Sequence, residues 1–381
     1  MKICKSTFFF MILLSLISCG DDSDGDIIRE ADPIVEDGPF DKVAVVAVSQ
    51  DQIYQLDVSF KTKTVEETNL TKDYEVEMPD KIFTSDTRAS FLYRQAGQDY
   101  SFKTKSFQNQ NVEMHDRICG FESNNMEGAF GATVVEDYLL VFTGSGDSYD
   151  ILSVWSKHLP TGNCQKITFG QGYDYDFNKI LYEEDQLVVS FTDLSGQYSI
   201  SYIDLFSGTS TTTSFDRYYS ATLIDGMVHM LFYGDSTIYE VYDPRDWSLM
   251  KNDEFSDYLN FGSNGLVSTQ MYESKVLINF QYGQPGPVGE GPGTVNLMTG
   301  EFESMNQFLS QIKRELEIKY DANILITTYK ADLETETLVV GYEVKGFDGS
   351  ISGGLLLSDF EAIVDEDIAL PYTPFSFEFV D

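Results

Sequence analysis

Between Asn178 and Phe215 the chain alternates apolar and polar residues in four short runs. Glu183-Glu184-Asp185, Asp193-Leu194-Ser195-Gly196 and Ser207-Gly208 separate them. Alternation at every second position sends neighbouring side chains to opposite faces of a strand. The stretch therefore predicts an antiparallel meander of four strands joined by tight turns. Similar units fall at about 42–70, 80–116, 131–169, 218–255, 265–308 and 324–368. A recurring turn closes the third strand of three of them, at Thr161-Gly162, Ser207-Gly208 and Thr299-Gly300. Glycine there supplies the positive φ of a close hairpin.

Repetition at about 40 residues predicts an all-β fold, a β-propeller with seven four-stranded blades, with six or eight left open by the irregular end units. The first unit lacks an inner strand, whereas Thr373-Pro374-Phe375-Ser376-Phe377-Glu378-Phe379-Val380 is an alternating strand without a unit. Pairing the two predicts a ring closed by the C-terminal strand, which removes an open edge. Met305, Phe308, Leu309, Ile312 and Leu316 fall on one helical face. They predict a short helix over Ser304 to Leu316, with Ser304 and Gln307 at capping-box spacing. The proline- and glycine-dense run Gln281 to Gly293 predicts a protruding loop between middle strands.

The first 18 residues do not belong to this domain. Lys2 and Lys5 precede an apolar run from Phe8 to Ile17, the pattern of an export signal too short to span a bilayer. Leu16-Ile17-Ser18-Cys19 resembles the bacterial lipobox, whose cysteine is acylated. The acidic run Gly20-Asp21-Asp22-Ser23-Asp24-Gly25-Asp26 resembles the export signal of surface lipoproteins of Bacteroidota. The resemblance implies residues 1–18 as signal peptide, Cys19 as lipidation site, 19–40 as a flexible tether and 41–381 as the propeller. It further implies an outer-membrane location facing the extracellular side, with lipid chains as the membrane attachment. An outer-membrane transporter or a glycan is the partner such a location suggests.

A net charge of −37 repels nucleic acids and excludes them as partners. Once Cys4 leaves with the signal and Cys19 is acylated, Cys119 and Cys164 remain as a possible disulfide in an oxidising compartment. Blade geometry places the two towards opposite ends of a blade and leaves the pairing open. No metal site is expected, because neither belongs to a CxxC pair. Of the three histidines, His229 alternates inside an apolar strand and reads as a packed core residue, while His115 and His158 have no partner at metal spacing. No catalytic motif stands out, so no catalytic residue or cofactor is assigned.

Aromatic residues gather in the connections from an outer strand to the next inner one. Tyr173, Tyr175, Arg217, Tyr218, Tyr219, Tyr258 and Tyr320 form a candidate binding rim. Tyrosine presents a flat apolar face and a hydroxyl, suited to sugar rings or a protein partner. The competing reading makes these rings wedges between blades. Three functions follow: a tethered propeller binding a nutrient or partner protein, a propeller enzyme acting on glycans or lactones, and an adhesive or structural propeller.

Overall fold

A computed structural model describes residues 42–85, 88–94, 100–108, 111–116, 118–120, 127–146, 150–255, 271–281, 290–360 and 364–380. The signal and tether expectations, including Cys19, lie outside the described residues. The fold is all-β. Five four-stranded sheets and one seven-stranded sheet follow one another as antiparallel meanders. Numbered along the chain, the first sheet spans 42–69, the second 81–116, the seven-stranded third 127–215, the fourth 219–255, the fifth 271–304 and the sixth 322–370.

The last strand returns to the first sheet. Pro374–Phe379 lies antiparallel to Lys42–Ser49, with Val45 opposite Phe377 and Val43 opposite Phe379. The C-terminal strand thus occupies the place left empty at the sheet's inner edge, as its alternation predicts.

Period-two alternation then decides which sheets touch. In Lys42–Ser49, Ala44 and Val46 pack with Ala89 and Phe91 of the second sheet. Val43, Val45 and Ala47 point the other way, to Val339, Leu355 and Ile368 of the sixth. The second and third sheets share Phe102, Leu139 and Val141. Leu140 and Phe142 face Leu187, Val189 and Phe191 within the long third sheet. Val188 and Ile200 pack with Val228 and Met230 of the fourth. A single cluster then joins the fourth, fifth and sixth sheets through Leu231, Val276 and Leu338. The apolar contacts form a closed cycle, the arrangement of a β-propeller, in which each sheet buries both faces against its neighbours.

Several local expectations change. The third sheet is continuous because Cys164–Glu183 pairs on one side with Ile151–His158 and on the other with Gln186–Asp193. Its register shifts between Gly172 and Asp174, and again between Tyr175 and Ile180, where a connection was expected. The helix is Asn306–Tyr320, and its N-cap is Met305 without a side-chain hydrogen bond. Ser304 ends the strand Phe302–Ser304, so the capping box does not form. The apolar face does what its spacing predicts: Met305, Phe308, Leu309, Ile312 and Leu316 are buried. Gly291, Pro292 and Gly293 belong to the strand Glu290–Asn296, opposite Phe280, Asn279 and Ile278, so the expected loop is shorter. Its tip, 282–289, lies outside the described residues. The three turn glycines adopt positive φ, 72° at Gly162, 73° at Gly208 and 75° at Gly300.

Cys119 and Cys164 form a disulfide with Cα atoms 5.4 Å apart. The expectation of opposite ends rested on Cys119 lying in the connection between second and third blades and Cys164 starting an outer strand. Instead Ile118 is buried beside Ala129, Val134 and Leu139, with Cys119, Trp155 and Leu159 packed on the same cluster. Cys119 takes a left-handed conformation, φ 56°. The segment leans against the third sheet and carries its thiol to the strand that starts at Cys164.

His229 is a structural residue, as its place in an apolar strand predicts. Its Nδ1 lies 2.7 Å from the Tyr239 hydroxyl, and burial holds its pKa down to about 4. The folded pKa lies below the unfolded value of about 6.5, so this group's contribution is complete above pH 6.5 and is lost as pH falls towards 4. Between pH 7 and pH 5 the loss is about 2 kcal/mol. Urea denaturation of wild type and His229→Gln at both pH values checks this: the variant's midpoint falls less on acidification. For ring closure, Phe377 is 1% exposed at the joint between the last strand and the first. Phe377→Ala costs roughly 3–5 kcal/mol in urea titrations, as expected for a large buried ring. A variant within about 0.5 kcal/mol of wild type shows that the joint does not hold the fold.

Candidate binding face

In an antiparallel meander of four strands, the turn between second and third strands lies at the same end as the connection to the next sheet. Connections of that kind are therefore expected at one end of the molecule. Among the described residues the aromatic connections picked out in the sequence do not form one rim. Tyr173 and Tyr175 lie on the strand Cys164–Glu183 rather than in a connection, and their side chains, like all of Tyr258, lie outside the described residues.

Tyr219 is a correction. It is 3% exposed and wedged between the third and fourth sheets beside Val188, Ile200 and Phe232. Its hydroxyl donates to the Ser199 carbonyl at 2.8 Å and lies 3.0 Å from Ser190 Oγ, whose hydroxyl can donate to it. An aromatic at the first position of an inner strand fills the gap between two sheets, so it cannot face a ligand. Arg217 and Tyr218 stay partly exposed, with Tyr218 packed against the cluster that joins the fourth, fifth and sixth sheets. The Arg217 guanidinium lies 4.5 Å from the centre of the Phe232 ring, and its Nη2 is 3.8 Å from Glu240 Oε1. Tyr218 meets Tyr198 edge to face at 5.3 Å.

Tyr320 belongs to a separate polar group on the sixth sheet. Its hydroxyl lies 3.1 Å from that of Tyr342, which is fully buried and donates to Asp367 Oδ1 at 2.5 Å. Lys319 Nζ binds the other oxygen of Asp367 at 2.6 Å. Burial and the Asp367 charge both raise the Tyr342 pKa, so this phenol stays protonated as a donor. Gly354 makes room for the ring: a Cβ there would lie 2.1 Å from Tyr342 Cζ. The arrangement is a packed support rather than an open site.

A second carboxylate is similarly employed. Burial raises the pKa of Glu127, but bonds from Lys166 at 2.8 Å, Trp155 Nε1 at 3.0 Å and Thr143 at 2.9 Å hold it below the ordinary range. Among the described residues no three metal-ligating side chains come together.

The open space on this end is elsewhere. A groove of about 620 Å³ separates the first and sixth sheets. Ser49 and Gln50 line one wall, Thr327, Glu343 and Ile351 the other, and Phe375 the inner edge. Thr373 Oγ1 donates to Glu343 Oε2 at 3.0 Å. Thr327 Oγ1 is buried with no hydrogen-bond partner among the described residues, a rare condition for a buried hydroxyl in a finished core. Two exposed apolar side chains line the groove, and two more lie on the neighbouring turn and strand. Phe375 is 53% exposed, Ile351 56%, and Phe347, in the turn that leads to Ile351, 84%. Leu325, directly across the ladder from Glu343, is 56% exposed.

None of these groove residues reads as a binding residue in the sequence; Thr373 and Phe375 read only as part of the closing strand. Ring closure alone brings Ser49 next to Ile351, so no local spacing betrays the groove. One sign was available: Phe347 sits in a Gly-Phe-Asp-Gly-Ser turn, where a large aromatic has no core to enter.

No family model matches the chain, and no curated protein sequence matches it. Solved structures similar to it include an uncharacterized protein from Listeria monocytogenes, 9% identical, with a TM-score of 0.49 over 88% of this chain and 93% of that one. The β-propeller domain of the Trilobed protease from Pyrococcus furiosus is 8% identical, with a TM-score of 0.45 over 79% and 95%. TolB from Acinetobacter baumannii is 11% identical, with a TM-score of 0.39 over 88% and 81%.

Gly354→Ala forces the Tyr342 ring out of its place and costs about 1–3 kcal/mol by overpacking. Thermal unfolding followed by circular dichroism reads the loss, and an unchanged midpoint shows that the ring can move freely.

Proposed function

We propose that the protein is a lipid-tethered binding protein of the outer membrane, facing the extracellular side, and that the groove between the first and sixth sheets is its binding surface. In this reading the ring has seven blades. The long third sheet counts as two, divided where the Cys164–Glu183 strand shifts register near Gly172.

One observation supports the reading above the others. The strand Lys42–Ser49 starts where the tether would join and ends in the groove wall. Its length, roughly 23 Å at the usual strand rise, separates the attachment point from the binding surface. A domain held by its N-terminus therefore keeps this face clear of the anchor. The exposed rings and aliphatic groups around the opening supply contact area of the kind found at the centre of protein interfaces. The Lys2, Lys5, Leu16-Ile17-Ser18-Cys19 and acidic-run pattern supports acylation at Cys19.

The test has two parts in cells making the full-length chain. Cys19→Ser should release the protein from the membrane fraction, and proteinase K on intact cells should degrade the wild type. Cross-linking and capture from outer membranes should then recover proteins or small molecules with the wild type that Ile351→Asp loses. A Cys19→Ser protein that still sediments with membranes rules out the anchor. Equal recovery with Ile351→Asp rules out the groove.

A further inference from the structure

From the chemistry of the groove we infer that its occupant is a segment of a partner polypeptide in which apolar side chains alternate with lysine or arginine. The inference rests on the groove being the binding surface. Apolar contacts come from Ile351 and Phe375 in the lining, 56% and 53% exposed, and from Phe347 in the turn that leads to Ile351, 84% exposed. Charge comes from Glu343 in the wall, with Asp51 and Asp348 in the two turns that flank the opening. Lys345 is the exposed base on the same hairpin, and Lys330 is occupied by Glu378. A carboxylate beside apolar side chains selects a ligand with a cation next to its hydrophobic group.

Two other occupants fit less well. A second copy brings another net charge of −37 to the same face, and the repulsion opposes close approach. The chain's own first residues carry Asp21, Asp22, Asp24, Asp26, Glu30, Asp32, Glu36, Asp37 and Asp41 against Arg29 after Cys19. That segment has the wrong sign for Glu343. A basic partner is drawn to the whole acidic surface first, and the groove then sorts partners by their apolar side chains.

Fluorescence polarization with three labelled synthetic peptides tests this at a salt concentration of about 0.15 M, where long-range attraction is screened. The probes are Lys-Phe-Lys-Leu-Lys, Glu-Phe-Glu-Leu-Glu and Lys-Ser-Lys-Ser-Lys. The first should bind at least about tenfold more tightly than either of the others, a difference of about 1.4 kcal/mol. The double variant Phe347→Ser/Ile351→Ser, which changes only exposed side chains, should keep its thermal midpoint and lose that tenfold advantage. Glu343→Gln should narrow the preference for the basic over the acidic peptide. Equal binding of the acidic peptide overturns the inference, as does undiminished binding by the folded double variant. If the three peptides behave alike while Ile351→Asp still loses partners captured from membranes, the groove is a binding surface and this occupant is wrong. A dimer in sedimentation that the double variant abolishes replaces the basic partner with a second copy.

Discussion

The pairing of the last strand with the first is the constraint on which everything else depends. Without Pro374–Phe379, the first sheet exposes an unpaired inner edge, and Phe377 has no core to enter. An edge of that kind invites association with other chains. With the strand in place, Val43, Val45 and Ala47 meet the sixth sheet while Ala44 and Val46 meet the second. One strand thus transmits packing in both directions round the cycle. The entropy lost in bringing the two ends of a chain this long together grows only slowly with length, so a single well-packed strand can offset it.

Closure also creates the groove. One wall is the end of Lys42–Ser49 and the turn after it, while the other combines the turn before Ile351 with Thr327 and Glu343, which lie inside the strands Ala322–Asp332 and Thr337–Gly346. At the junction between first and sixth sheets, Pro374 starts the closing strand and the register with Lys42–Ser49 shifts beside it, at Val46 and Ala47. Proline removes a backbone donor, so the ladder weakens there and the inner strand parts from its neighbour. Phe375, next to Pro374, is half exposed. Between the third and fourth sheets the corresponding gap is filled by Tyr219.

Alternation and turn chemistry made most of the elements legible in advance. The meanders, the turn glycines, the apolar face of the helix and the packed role of His229 all follow from spacing and residue type. The candidate site was less legible. Tyr218 and Arg217 are partly exposed, but Tyr219, one position further along, is buried. A sequence cannot separate a ring on a rim from a ring between sheets when both occur in one Tyr-Tyr pair. The helix start was also misplaced, because strand pairing across Val295 and Phe302 holds Phe302–Ser304 in extended form and overrides the cap.

The sequence by itself determined that this chain is made of strands with two buried faces, that one strand at the end lacks a sheet, and that its surface is strongly acidic. Those properties reside in the period of two, in glycine at positive φ and in the count of ionised groups, each of them local or additive. Only the tertiary structure decided that Cys119 reaches Cys164, that Tyr219 turns inward and that Ser49 faces Ile351 across an open space. These depend on distances between residues far apart in the chain. Such distances appear only after the cycle of sheets has closed and each connection has found the flank it leans on.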